Sequence, residues 1–323
     1  MRKIDIARQP LGLVAITSVT IIVLAAVRYV ASPVAQPSAV MPVGACLEGL
    51  LPGKSGVVPL VLLIIFNALM LTRISTHNML YITKSYIPAV VYVAVCCGVF
   101  FNQESLAAVV ASFFIVTGLG VIIPGFHHGA SFDRCFRGAV LVGCAVLFYA
   151  PAALMVVALP LILAIFLRSG RELIVALVGF LLPTAASAYI FWGMGHSGGY
   201  LFESLVDAMV APPATATRYT DPAFLTTASL TVLVLFLSIG TYVASVNKMR
   251  TRPYRIVMTF LILFVVLAAG LAFPARSVSV VNMLAVPMAI ILPLYFARYT
   301  GIAPLVIYLT WIFSVIALNL NGF

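Results

Sequence analysis

Charged residues are scarce in this sequence, and their scarcity excludes most classes of soluble protein. Only 8% of the 323 residues are Asp, Glu, Lys or Arg, while 63% are hydrophobic. In an ordinary soluble domain, roughly a quarter of the residues are charged and roughly half are hydrophobic. No polar stretch is longer than about 30 residues, which is too short for a separate aqueous domain. A soluble enzyme, a secreted disulfide-bonded protein and a disordered protein are therefore excluded.

Cysteine is also rare, and its spacing indicates neither a metal site nor a disulfide framework. The five cysteines include no CxxC pair and no Cys/His ligand spacing. Three of them lie inside apolar runs, where a thiol behaves as a small hydrophobic group. We expect no metal, no structural disulfide and no cofactor.

Long apolar runs make up most of the chain. A helix needs about 20 residues to cross roughly 30 Å of hydrocarbon. The clear runs of about this length are 11–31, 57–73, 84–101, 105–124, 173–194, 223–246, 255–273, 278–297 and 302–320. None shows the two-residue alternation of a membrane β-barrel. The sequence thus predicts an all-α polytopic transmembrane helical bundle, with residues 1–323 as a single integral membrane domain.

The segment 138–167 is ambiguous, because it is too long for one upright span and short for two. Pro151, at its middle, would break the hydrogen-bond ladder of one continuous helix. With a hairpin of two short helices and a cytoplasmic N-terminus, fourteen of the 18 Lys and Arg residues lie inside, whereas a single span divides them nine against nine. Because basic residues collect on the cytoplasmic side, we predict the hairpin, and with it about 11 spans. Tyr149 and Pro151 are then expected below the outer surface, as the floor of a cavity.

Two long loops, 32–56 and 195–222, face outward in this topology, while the inward loops are short and basic. Five of the eight acidic residues fall on the outer face, namely Glu48, Glu104, Glu203, Asp207 and Asp221. Any chemistry is therefore expected outside the membrane.

The first outer loop contains one acid, Glu48, which we consider the catalytic candidate. A lone carboxylate near a membrane surface is suited to act as a general base or to bind a sugar hydroxyl, and the alternative is a solvated loop side chain. Arg28 and Arg276 lie near the outer ends of apolar spans, and Arg218 lies in the second outer loop. These three arginines are candidates for binding a lipid phosphate, and the alternative is that each reaches outer headgroups independently.

The second outer loop combines aromatic, histidine and acidic residues that we consider a candidate substrate loop: His196, Tyr200, Glu203, Asp207 and Asp221. Glu203 and Asp207 are four residues apart and would share one face of a short helix. Two carboxylates are too few for a typical divalent-cation site. The alternative is an amphipathic helix at the membrane interface.

A pattern of glycine, proline and arginine residues occupies the middle of the chain. It reads GAVLVG at 138–143, LFYAPAAL at 147–154, Leu159-Pro160, Arg168 and Arg171, and GFLLP at 179–183. Over about 133–194, this pattern resembles the C-type polytopic glycosyltransferases. The resemblance implies transfer of a sugar from a polyprenyl-phosphate donor at the outer leaflet by an acid of the first outer loop. These segments, with Asn67, residues 84–89 and Phe132-Asp133, are also similar, over about 57–194, to an uncharacterised family of short polytopic bacterial inner-membrane proteins.

Three functions from different classes follow from these observations. The first is a multi-pass protein of the bacterial inner membrane that transfers or handles a polyprenyl-phosphate-linked sugar in envelope glycan assembly. The second is a non-catalytic membrane subunit or scaffold of an envelope assembly complex. The third is a transporter, which the scarcity of ionisable residues at mid-membrane disfavours. Expected partners are membrane lipids, including the polyprenyl-phosphate sugar, and membrane proteins. The net charge of +10 reflects the basic inner loops rather than nucleic-acid binding.

Overall fold

The computed structural model of the chain is built from α-helices, and the residues that it describes contain no β-strand. These residues are Ile6 and 9–31, 39–51, 53–81, 85–98, 105–125, 131–210, 222–245, 251–272 and 280–320. The α-helices within them are α1 (Leu11–Ala31), α2 (Pro42–Leu50), α3 (Val57–His77), α4 (Ile87–Gly98), α5 (Ser105–Gly125), α6 (Phe132–Phe148), α7 (Met155–Ile165), α8 (Gly170–Gly193), α9 (Tyr200–Val210), α10 (Pro222–Ser245), α11 (Thr251–Ala269), α12 (Val280–Ile291), α13 (Pro293–Arg298) and α14 (Ile302–Leu320).

Eight of the described helical segments are long and apolar enough to cross a bilayer. They contain 19 to 24 residues, which at 1.5 Å per residue is about 29–36 Å, against roughly 30 Å of hydrocarbon. The chain is therefore a multi-pass, all-helical integral membrane protein. The predicted total of about eleven also counts three shorter elements, α4, α6 and α7.

Helix α4 is at the centre of the bundle. Eleven of its twelve residues are buried, and it packs against α1, α3, α12 and α14. A helix that is apolar on every face is stable only when it is surrounded by other apolar elements. The run of valine, alanine and cysteine in α4 therefore explains its central position.

The predicted hairpin is present as α6, a 3-10 turn over Ala150–Leu154, and α7. Tyr149 adopts an extended conformation that ends α6, and Pro151 lies within the first two positions of the 3-10 turn. Proline is tolerated there because the first N–H groups of a helix have no partner within it. Neither helix reaches the length of the eight spanning segments. The two short helices were correctly predicted from the proline at the centre of the segment.

Glycines let α6 approach its neighbours closely. A Cβ on Gly138 would lie 2.9 Å from the carbonyl oxygen of Gly118 in α5, and a Cβ on Gly179 in α8 would lie 2.9 Å from the carbonyl oxygen of Phe136. Contacts between backbones at this distance require small residues, as is common between membrane helices. Helices α5, α6 and α8 therefore form a tightly packed group, with α8 at its edge.

Contacts between helix ends and connecting segments identify the two ends of the bundle. We call the end formed by the turn Tyr149–Leu154, α2 and α9 the hairpin end. At the opposite end, Arg252 donates to Asn78 Oδ1 at 2.8 Å, and Arg168 donates to the carbonyl oxygen of Gly125 at 3.4 Å. Residues from both predicted outer loops therefore lie at the hairpin end, as the hairpin topology requires and a single span over 138–167 does not allow.

Candidate functional site at the hairpin end

The first outer loop is joined to the hairpin turn by a short antiparallel backbone pairing. Val40 forms an isolated β-bridge with Tyr149. The N–H of Met41 donates to the carbonyl oxygen of Phe148 at 3.2 Å, and the N–H of Ala150 donates to the carbonyl oxygen of Ala39 at 3.1 Å. These two bonds satisfy backbone groups that the break between α6 and α7 would leave without helical partners. The loop is thereby fixed in position over the turn.

The hairpin turn is covered rather than open. Tyr149 is fully buried, and Ala150 packs in a cluster with Met41 from the first outer loop and Leu201 from α9. The expectation that Tyr149 and Pro151 form the floor of a cavity is therefore wrong at this turn. The physical reason is that both outer loops place apolar side chains on it, and their burial is favourable.

Helix α2 carries the catalytic candidate and is seated close to α6. Pro42 is in the first turn of the helix, where its fixed φ is compatible with helix initiation. A Cβ on Gly44 would overlap the carbonyl oxygen of Phe148, whereas one on Gly49 would meet no atom within 4 Å. Only the Gly44 face therefore touches α6. Glu48 is half-buried on this helix, so it is held by regular structure and not by an extended loop.

Glu48 is close to the end of α1. Its carboxylate interacts electrostatically with Tyr29, whose side chain is only 3% exposed. The Tyr29 hydroxyl in turn lies beside Gly56, at 3.2 Å from the position of a Cβ there. A carboxylate, a phenol and the 3-10 turn Gly53–Gly56 are thus brought together from three segments of the chain.

Arg28, the residue before Tyr29, is buried at 5% exposure. Its Nη1 donates to the carbonyl oxygen of Leu318 at 3.2 Å. Leu318 is in the last turn of α14, where carbonyl groups lack helical partners and the helix dipole favours a cation. The guanidinium therefore ties the ends of α1 and α14 together and places a positive charge at the end of α1.

Helix α9 packs on α8 and on the hairpin turn as an amphipathic helix. Aromatic stacking fixes the start of the helix, because the His196 ring stacks on the Tyr200 ring with centroids 4.3 Å apart and an interplanar angle of 20°. Leu201 is buried, while Glu203 and Asp207 are exposed. The short helix predicted from the spacing of the two acids is present. Its acids face away from the bundle, as expected for a helix at a membrane interface.

Three of the candidate residues, Arg218, Asp221 and Arg276, lie outside the described residues. The structure therefore places Arg28, Glu48, His196, Tyr200, Glu203 and Asp207 at the hairpin end, and it brings Glu48 close to the α1 end that carries Arg28. In the part of the chain that the structure describes, no three His, Cys, Asp or Glu side chains form a group that could hold a metal ion.

Sequence reasoning missed several residues of this end. Tyr29, Met41 and Gly44 make contacts that join α1, the first outer loop and the hairpin turn, but none carries a local signal for such a role. Gly44 is followed by Gly49 in the same helix, and the sequence does not distinguish the packed glycine from the open one.

The arrangement can bind a polar group at a membrane surface. A half-buried carboxylate accepts hydrogen bonds, and the buried guanidinium of Arg28 at the end of α1 attracts phosphate more strongly than it would in water. No family model, no curated protein and no solved structure matches this chain.

Proposed function

We propose that this membrane protein transfers or handles a polyprenyl-phosphate-linked sugar at the outer leaflet, with the hairpin end facing outward. The observation that carries the proposal is the placement of Glu48, which is half-buried on the short helix α2; the 3-10 turn that follows this helix lies beside the Tyr29 hydroxyl at the end of α1. Arg28 adds a positive charge at the same level. This combination suits a substrate that has a phosphate and sugar hydroxyls at a membrane surface.

The charge distribution supports the outward orientation of the hairpin end. With this end outside, fourteen of the 18 basic residues are cytoplasmic, which is the bias that sets topology in bacterial inner membranes. The connections at the opposite end include Arg168, Arg171 and Arg252, and those at the hairpin end carry most of the acids. This orientation also exposes α9 at the outer interface.

The proposed roles follow from the side chains. Glu48 accepts a proton from an attacking sugar hydroxyl or holds that hydroxyl in place, and its short helix restricts the orientation of the carboxylate. Arg28, Arg218 and Arg276 attract the phosphate of the lipid carrier. The rings of His196 and Tyr200, at the start of α9, border the substrate. The similarity to C-type glycosyltransferases supports the same assignment of an acid in the first outer loop.

The test replaces Glu48 with glutamine, which keeps the size and removes the charge. The protein is expressed in a strain that lacks the native copy, and the envelope glycan is analysed by mass spectrometry alongside the amount of protein in the membrane. We expect Glu48→Gln to abolish complementation at an unchanged protein level. Asp133→Asn is the matched control, because Asp133 is an exposed acid at the opposite end and its replacement should leave complementation intact.

A binding measurement examines the lipid contact separately. Purified protein is titrated with liposomes that contain undecaprenyl phosphate or, for comparison, phosphatidylglycerol. Arg28→Gln is expected to weaken binding to the liposomes with undecaprenyl phosphate about tenfold, which corresponds to the loss of one charged hydrogen bond. Arg28→Lys should retain most of the affinity.

Full complementation by Glu48→Gln would contradict the enzyme assignment and favour a non-catalytic membrane subunit.

A further inference from the structure

A separate groove lies on the lipid-facing side of the bundle, between α10, α13 and α14. Its volume is about 850 Å³, within the range of about 300–1,000 Å³ that is usual for ligand sites. Its lining is mainly apolar, with Phe236 and Gly240 on one wall and Tyr295, Tyr299 and Ala303 on the other. None of these residues belongs to the hairpin end.

The groove arises where α12 and α13 are interrupted. Pro293 begins α13 and cannot donate a backbone hydrogen bond. The hydroxyl of Ser238 in α10 donates to the carbonyl oxygen of Leu292 at 2.8 Å, so α10 is fixed to the interruption. Just past that contact along α10, a Cβ on Gly240 would meet no atom within 4 Å. The space beside Gly240 is therefore open to the bilayer.

The groove is shorter than the membrane is thick. Its lining on α10 extends from Ser229 to Thr241, which is about 18 Å of a helix of 24 residues, against about 30 Å of hydrocarbon. A transmembrane helix would need contact over the whole thickness and a width of about 10–12 Å. An acyl chain from one leaflet fits the observed length.

One end of the groove is polar. Tyr299 and Thr300 line it, and the half-buried Arg298, which precedes Tyr299 in sequence, is the last residue of α13. Tyrosine is enriched at the level of lipid headgroups, and arginine binds phosphate through charged hydrogen bonds. This end lies opposite the hairpin end, because the same helix α10 ends there at Ser245.

We infer that the groove binds a phospholipid of the leaflet opposite the hairpin end, with one acyl chain along α10 and the phosphate at Arg298. The acyl chain covers the side chains of Leu233 and Phe236, which are 48% and 79% exposed. The headgroup lies beside Tyr299 and Thr300. This inference does not depend on the proposed function, since it concerns other helices and the other leaflet.

The experiment uses the full-length protein in nanodiscs that contain phosphatidylglycerol with a photoreactive diazirine in one acyl chain. After irradiation, labelled peptides are identified by mass spectrometry. Wild-type protein should be labelled in α10 and α14 at the groove. Gly240→Leu extends an apolar side chain into this space, where a Cβ meets no atom within 4 Å, and should reduce this labelling about tenfold, which is the effect of losing roughly 1.4 kcal/mol of apolar contact.

The matched control is Gly12→Leu, because Gly12 in α1 also has open space around a new Cβ and lies outside the groove. It should leave labelling of α10 and α14 unchanged. Ala303→Leu is a second groove-filling variant that keeps the test valid if Gly240→Leu lowers the yield of folded protein. Equal labelling of Gly240→Leu, Ala303→Leu and wild type would overturn the inference.

A second arm examines the phosphate. Arg298→Gln should reduce groove labelling by photoreactive phosphatidylglycerol about tenfold and leave labelling by a photoreactive diacylglycerol, which lacks phosphate, unchanged. Equal reduction with both lipids would contradict the phosphate contact. Crosslinks from the groove to a second copy of the chain or to another protein, in place of lipid, would also overturn the inference.

Discussion

At the end opposite the hairpin, a single carboxylate holds together three segments of the chain. Glu172 is 2% exposed, and its Oε1 accepts from the N–H of Ser131 at 2.9 Å and from Arg168 Nη1 at 3.4 Å. Ser169 accepts from the N–H of Glu172 as the N-cap of α8. A buried carboxylate with these donors is stabilising only while its partners remain.

Glu172→Ala should destabilise the protein strongly. It removes the buried carboxylate that accepts hydrogen bonds from the Ser131 N–H and from the Arg168 guanidinium. We expect the free energy of unfolding to fall by about 3 kcal/mol, measured by chemical unfolding in detergent micelles. Asp133→Asn is the control, since Asp133 pairs with Arg137 at 2.8 Å but both side chains are about two-thirds exposed or more. Its effect should stay within about 0.5 kcal/mol. Similar losses for both variants would contradict the role assigned to burial.

Some residue-level contacts were predictable and others were not. Ser169 and Glu172 have the Ser-x-x-Glu spacing of a capping box, which signals a helix start from sequence alone. By contrast, Asn67 donates to the Tyr92 hydroxyl at 3.0 Å, and the thiol of Cys96 donates to Asn282 Oδ1 at 3.5 Å. Such bonds between distant helices depend on packing, so no local pattern identifies them.

At the scale of elements, α2 is held to the hairpin by one face only. The two glycines of this helix provide a direct comparison, because a Cβ on Gly44 would overlap the carbonyl oxygen of Phe148 and one on Gly49 would meet open space. Gly44→Ala should therefore displace α2 from α6 and expose the Val40–Tyr149 pairing. We expect faster amide hydrogen exchange at residues 39–50 and at the turn after α6, measured by mass spectrometry.

Gly49→Ala serves as the matched change, since it introduces the same methyl group in the same helix. Because alanine has a higher helix propensity than glycine, by up to about 1 kcal/mol, exchange in α2 should be unchanged or slower. Faster exchange in Gly49→Ala than in Gly44→Ala would show that α2 is not seated through Gly44.

The elements themselves were predicted to different degrees. The break at Pro151 followed from the chemistry of proline, and the long spans followed from hydrophobic length. Helix α2 was not predicted, because its nine residues are too few to form a stable helix alone and acquire stability from packing on α6. The seating of Met41 and Leu201 on the turn likewise depends on tertiary contacts.

At the scale of the whole molecule, the native cysteines report orientation. Cys46 in α2 is exposed, Cys96, Cys97 and Cys135 are buried, and Cys144 is half-buried within the apolar helix α6. With the hairpin end outside, a membrane-impermeant maleimide should label wild-type protein on intact cells, and Cys46→Ser should abolish the labelling. The measurement is the band shift of the labelled protein on a gel.

A cysteine at the opposite end completes this test. Gly170 is exposed at the start of α8, and a Cβ there meets no atom within 4 Å, so Gly170→Cys is tolerated by the fold. In the Cys46→Ser background, Gly170→Cys should be labelled only after the cells are permeabilised. Labelling of Gly170→Cys on intact cells would reverse the orientation and exclude Glu48 from the outer leaflet.

The contact between Arg28 and Leu318 also has a temporal consequence. The two residues are separated by 290 positions in the chain, so at roughly 5–20 residues per second the ribosome delivers the acceptor about 15–60 s after the arginine. During that interval α1 is in the membrane while the carbonyl that receives its guanidinium does not yet exist. The α5–α8 group, whose partners are close in sequence, can assemble in the meantime. Closure of α14 on α1 is thus a late event in folding, and a chain that stalls before α14 is made lacks the contact that joins these two helices.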